Sequence, residues 1–202
     1  MTKSKWPLLI TIFFLTLLLL LSQPIQDIFV FNRTKIHEGQ WWRIFTGNLT
    51  HSNYFHLILN LAGLWILVFL FIDTLKSKTF ILSTLFISLI VGFGLYYFSI
   101  ELHTYFGFSG TLYGLYIISA ISAILHKDYF TGFAVVFLVT GKIVWDYFNG
   151  GNSSSAELIG VPVATDAHLY GIIGAILISV ILYWNHLNTV KKTHNKMTPP
   201  HF

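Results

Sequence analysis

The sequence predicts an all-α membrane protein built as a bundle of six transmembrane helices. Three observations carry this reading. Hydrophobic residues make up 54% of the chain and charged residues only 10%, against about 25% charged in a soluble domain. Six apolar runs occur, each near the roughly 20 residues that cross a hydrocarbon core. Polar and ionisable side chains recur at the mouths of these runs, where they are costly unless used. At 202 residues the chain reads as one domain over 1–202, with a polar tail over about 189–202.

The elements follow in order. The first run, about Pro7–Phe31, is preceded by Lys3 and Lys5 and interrupted by Gln23-Pro24 near its far end. It shows no small-residue cleavage site, so it reads as a retained span rather than a signal peptide. The loop Asn32–Asn53 is amphipathic, with Trp41, Trp42, Ile44 and Phe45 among polar residues, and belongs at the membrane interface. Further spans are expected at about Tyr54–Ile72, Phe80–Phe98, Gly110–Leu125, Tyr129–Phe148 and Ala167–Asn185. The loop Asn149–Thr165 contains Gly150-Gly151-Asn152-Ser153-Ser154-Ser155. That composition is flexible and suits either a mobile flap or a plain linker. The tail Thr189–Phe202 is basic and reads as disordered or lipid-facing.

Loop charge sets the orientation. Lys3, Lys5, Lys76, Lys78, Lys127, Lys191, Lys192 and Lys196 fall on one side, eight of the twelve basic residues. Both termini are therefore expected in the cytoplasm. The net charge of +4 is spread over loops and tails and gives no nucleic-acid signal. The absence of cysteine removes thiol nucleophiles, disulfides and zinc–thiolate sites.

Three groups of residues stand out chemically. Ser109 sits between Gly107 and Gly110 at a loop-to-helix junction. Glycines there permit unusual backbone dihedrals and close approach, and the free N–H groups of a helix start can stabilise an oxyanion. Small residues also pack membrane helices, so Gly-x-Ser-Gly alone does not decide. His168 opens the last span, at the same end as Ser109 because an even number of segments separates them. Histidine can take a serine proton and return it to a leaving amine. Gly171 and Ala175 follow on a small-residue face that lets helices approach. His56 and Asn60, four apart, share one face of the second span, with His51 just before. No glutamate lies between His51 and Asn60, which disfavours a zinc-protease site; hydrogen-bond donation to an oxyanion suits them better, or a packing role for Asn60.

Tyr113 lies one turn after Ser109, placed to stack on His168. Asp166 points elsewhere on a regular helix, so a Ser–His dyad is the simpler expectation. Lys142 and Asp146, four apart, are expected to pair on span five in a structural role.

Taken together, these residues resemble the rhomboid family of intramembrane serine proteases over nearly the whole chain. The elements are Trp42-Arg43 with Phe45-Thr46, then His51, His56 and Asn60, Gly107-Phe108-Ser109-Gly110 with Tyr113, and Ala167-His168 with Gly171. Ala175 stands where the family carries a further glycine. The resemblance implies a six-helix rhomboid-like bundle in the lipid bilayer with an outward-opening, water-accessible cavity. It implies Ser109 as nucleophile, His168 as general base, and His56, Asn60 and the Ser109 N–H as oxyanion hole. The supporting residues would be His51, Gly107, Gly110, Tyr113, Gly171, Trp42 and Arg43. No cofactor and no metal are expected. The partners would be membrane-anchored proteins, cleaved in or beside a transmembrane segment.

The compact chain, with Thr46-Gly47-Asn48 and Asp166-Ala167-His168-Leu169, looks most like the bacterial rhombosortase subgroup. That likeness implies a bacterial inner-membrane location and substrates ending in Gly-Gly, an apolar helix and a basic end. A general rhomboid protease is the alternative. Two readings from other classes are a non-catalytic relative that binds transmembrane segments, and a transporter. Loss of Ser109 or His168 would mark the first, and charges in series or broken helices the second.

Overall fold

A computed structural model describes residues 4–152 and 154–197 of the chain. It is mostly helical. α1 (Trp6–Ser22) gives way at Gln23–Ile25 to a tight 3-10 turn and then to the short α2 (Gln26–Phe29). Pro24 has no N–H to donate and cannot continue the α1 ladder, so the expected first span is a helix broken near its end. The loop after it is compactly folded rather than open. It contains α3 (Arg33–His37), α4 (Arg43–Thr46) and a 3-10 turn at Gly47–Leu49. A two-residue strand, β1 (Phe31–Asn32), pairs antiparallel with β2 (Thr104–Tyr105). That ladder ties the first loop to the segment just ahead of Ser109.

The long helices are α5 (Tyr54–Phe71), α6 (Ser77–Phe98), α7 (Ser109–Leu125), α8 (Tyr129–Phe148) and α10 (Thr165–Met197). Four helical stretches are long and apolar enough to cross a membrane: Trp6–Phe29, Tyr54–Phe71, Ser77–Phe98 and Tyr129–Phe148. α7 and the Thr165–Ile181 part of α10 are apolar but shorter. Large apolar side chains stand exposed around the bundle, among them Phe69, Phe98, Phe130, Phe137 and Trp145. A band of that size and composition is stable only against lipid, and the protein is an integral membrane protein.

α7 is the central helix. It packs against α5, α6, α8 and α10 and is buried on most of its circumference. Its closest partner is α10, and glycine makes that possible. A Cβ on Gly171 would run into the Gly110 carbonyl, and one on Gly114 into the Gly171 carbonyl. At Gly110 it would lie 2.7 Å from the Ala167 oxygen. The two backbones are thus in direct contact over the first turns of both helices.

Two arginines hold the first loop. Arg33 donates to the carbonyls of Leu95, Tyr96, Ser99 and Leu102 at 2.8–3.1 Å, neutralising the unpaired oxygens at the end of α6. Arg43, buried, donates to Asp27 O, Val30 O and Gln40 Oε1. Beneath the loop, Thr111 Oγ1 donates to Asn48 Oδ1, and Asn48 Nδ2 donates to Phe45 O and Ser88 O. Ser88 completes this buried network through its hydroxyl on Thr111, at 2.9 Å.

Two expectations are corrected. The loop before α10 is not wholly irregular: α9 (Ser154–Ile159) forms within it, and Val163 N–H donates to Gly151 O. Ser153, in the expected flexible run, lies outside the described residues. The basic tail is helical as far as Met197, continuing α10, and only 198–202 of it lie outside the described residues. Extending an existing helix is far easier than nucleating one, and the first proline is Pro199.

Gly114→Val should push α7 and α10 apart and lower stability by about 1–3 kcal/mol. Thermal unfolding of the detergent-purified protein measures this, and an unchanged midpoint would remove the steric argument.

Candidate active site

Ser109 is the first residue of α7, and the turn before it depends on Gly107, which has φ +134°. A side chain at that angle would be strained. It would also meet the His56 ring, since a Cβ on Gly107 would lie 2.9 Å from His56 Cε1. Phe108, ahead of the helix, supplies no side-chain cap. The first N–H groups of α7 therefore have no partner within the helix, and that of Gly110 is bonded to the Tyr105 phenol oxygen.

His168 lies one turn into α10. Its Nε2 is 2.9 Å from Ser109 Oγ. The Tyr113 ring stacks on the imidazole at 4.1 Å between centroids and 7° between planes, which leaves little freedom to turn. His168 is buried, and its Nδ1 meets no hydrogen-bond partner among the described residues. Asp166 does not serve it: its carboxylate accepts from Ser99 Oγ at 2.6 Å. Ser99 in turn accepts from Tyr170 Oη at 3.1 Å. Among the described residues, no carboxylate joins the pair as a third member.

His56 and Asn60 line the same cavity as Ser109 and His168. Asn60 spends one amide hydrogen on His56 O at 3.2 Å. His56 Nδ1 lies 3.1 Å from Ser52 Oγ, while that hydroxyl donates its single proton to Ile159 O of α9 at 2.7 Å. With the proton on Ile159, Nδ1–H donates to Ser52 and the neutral ring keeps Nε2 as an acceptor. The Ser52 N–H, at 3.5 Å from Nδ1, is too long to reverse this.

His51 lies behind His56, ring edge to ring face at 5.0 Å. It is fully buried, and neither ring nitrogen meets a hydrogen-bond partner among the described residues. Burial, with His56 adding to it, pushes it down to about 3, so it stays neutral. Its contact is to the candidate donor, not to the cavity. Trp42 and Arg43 are not brought to the site. Trp42 is half-exposed and donates from Nε1 to Ile28 O, and Arg43 braces the first loop.

Tyr105 was not singled out from sequence. It is buried and donates from Oη to Gly107 O at 2.6 Å. A Cβ on Gly110 would lie 3.2 Å from the same oxygen. Tyr105 thus props the turn that carries Ser109, and burial raises its phenol well above the ordinary range, keeping the donor. Its position depends on the β1–β2 ladder, which leaves no local signal. Ser52 was missed for the same reason: its partner lies on α9, far along the chain.

The cavity has a volume of about 640 Å³ and lies between α5, α7 and α8, under α9. Its walls are mainly apolar, with Tyr116, Leu138 and Val139 among them. Lys142 and Asp146 of α8 also line it. Lys142 Nζ contacts both Asp146 oxygens, at 2.6 and 2.5 Å. Asp146 is fully buried while Lys142 keeps 40% of its side chain exposed. Losing one partner strands a buried charge. Lys142→Met should therefore destabilise the protein by about 3 kcal/mol, and adding Asp146→Leu should recover most of it. Equal unfolding midpoints for wild type and the single variant would show the pair to be energetically idle.

A serine hydroxyl bonded to an imidazole, at the start of a helix and in an apolar-walled cavity, is equipped for acyl transfer. Comparison with curated proteins returns no match. A family model described as a Rhomboid domain matches residues 38–185, a stretch that contains Ser109, His168, His56 and Asn60. The chain belongs to the rhomboid family, whose members are serine proteases of the membrane interior.

Proposed function

We propose that this protein is an active intramembrane endopeptidase in which Ser109 and His168 form a catalytic dyad. The 2.9 Å Ser109–His168 contact carries the reading. Ser109 Oγ attacks the scissile carbonyl carbon as its proton passes to His168 Nε2. The carbonyl oxygen becomes an oxyanion facing the Ser109 N–H and the Asn60 amide. His168 returns the proton to the leaving amine, and water, activated by the same ring, hydrolyses the acyl-enzyme. His56 joins as a donor from Nε2 when its Nδ1 accepts, which the Ser52 hydroxyl permits on leaving Ile159.

The whole chain acts as one domain with six membrane crossings and both termini in the cytoplasm of a bacterial inner membrane. α7 has 17 residues, about 26 Å of helix, less than the roughly 30 Å hydrocarbon core. Ser109 therefore lies below the outer surface, within reach of a substrate helix.

The substrates are membrane-anchored proteins of the rhombosortase type, ending in Gly-Gly, an apolar helix and a basic tail. Thr46-Gly47-Asn48 and Asp166-Ala167-His168-Leu169 support that choice. Co-expression with such a reporter, beside one carrying an unrelated single span, tests it. Serine-dependent cleavage of the first alone is expected, and cleavage of both would make the protein a general rhomboid protease.

Ser109→Ala should abolish cleavage while leaving the unfolding midpoint near wild type; residual cleavage would remove Ser109 as nucleophile. Asn60→Ala should slow turnover by roughly 10²–10³, the usual cost of one oxyanion donor. Turnover equal to wild type would return Asn60 to packing.

A further inference from the structure

At the end of the bundle opposite Ser109 lies a second cavity of about 520 Å³. Two helices line it with matching polar ladders. On α6 and the residue before it these are Lys76, Thr79 and Ser83, and on antiparallel α7 they are His126, Ser122 and Ser119. The spacing puts each set on one helical face. Ser83 and Ser119 form the floor, each 1% exposed, and neither hydroxyl has a hydrogen-bond partner among the described residues. Buried hydroxyls are rarely left so. Phe80, Leu115, Ile118 and Leu125 supply an apolar wall.

The rim is basic. Lys76 forms no ion pair among the described residues and precedes α6 without a side-chain cap, leaving first-turn N–H groups open to an anion. His126 donates from Nδ1 to Ser122 O, which turns Nε2 away from its own helix. The nearby carboxylates are engaged elsewhere. Asp73 pairs with Lys5 at 2.6 Å, and Asp128 caps α8 by accepting from the Thr131 N–H.

We propose that this cavity binds a phosphate-bearing glycerolipid. The phosphate sits at the Lys76–His126 rim, the ester carbonyls accept from the hydroxyl ladder, and the chains lie on the apolar wall. Two turns, about 10 Å, separate rim from floor on each helix. A free phosphate held at the rim cannot reach the Ser83 and Ser119 hydroxyls, whereas an esterified one carries acceptors inward. A zwitterionic lipid presents the same carbonyls but cancels the charge that Lys76 favours.

Native mass spectrometry of the delipidated full chain tests this, with dioleoyl phosphatidylglycerol, the phosphatidylcholine of the same chains, and inorganic phosphate as probes. One phosphatidylglycerol should bind about tenfold tighter than phosphatidylcholine, the scale of one charge-assisted hydrogen bond. Lys76→Gln, at an exposed position, should erase that preference. Ser83→Ala with Ser119→Ala should weaken both lipids, and inorganic phosphate should displace neither. Equal affinity for the two lipids, variants that bind like wild type, or displacement by inorganic phosphate alone would each overturn the lipid site. The readout is mass rather than proteolysis, so its outcome stands apart from the assignment of Ser109.

Discussion

Everything at the candidate site depends on how closely two helix backbones can approach. Ser109 and His168 are 59 residues apart, on different helices, yet their side chains meet at hydrogen-bond distance. Helices ordinarily pack about 8–10 Å apart between axes, whereas here the backbones of α7 and α10 touch over the turns that carry the two residues. Gly110, Gly114 and Gly171 remove every Cβ that would hold the helices at that spacing. The nucleophile candidate and its base are thus placed by the absence of side chains elsewhere. Ala175, one turn beyond Gly171, is fully buried on the same face.

Much of the architecture is legible from composition because lipid imposes it. An apolar run of suitable length has no stable alternative to a helix in hydrocarbon, so Tyr129–Phe148 is readable to the residue. Ser109 and His168 are legible as a candidate pair, since each is polar at the mouth of an apolar segment and counting segments puts both at one end. Their contact is not legible, because it rests on α7–α10 packing. Tyr105 is invisible for a deeper reason: a two-residue ladder has no periodicity to detect. The α9 helix hides behind a composition that reads as linker, and its bonds to Ser52 and Asn53 span over 100 residues.

Two sets of polar groups inside this protein contrast. Those of the Asn48–Ser88–Thr111 network are saturated, each proton assigned to one acceptor, and they brace α7 against α6 and the first loop. Those around His168 are held by shape instead. Its Nδ1 has no partner among the described residues, and its orientation comes from a stacked ring. A base positioned by stacking rather than by a carboxylate gains no fixed counter-charge when it takes up a proton. In the proposed reaction its imidazolium would face a cavity whose buried acid, Asp146, is already paired with Lys142.

That acid and its lysine belong to the same helix, four residues apart. The short Lys142–Asp146 contacts are therefore internal to α8 and owe nothing to the neighbouring helices. One wall of the cavity carries its own counterion. Because both charges ride on one helix, α8 presents a dipole rather than a monopole to its surroundings, and neither charge depends on another helix for its match.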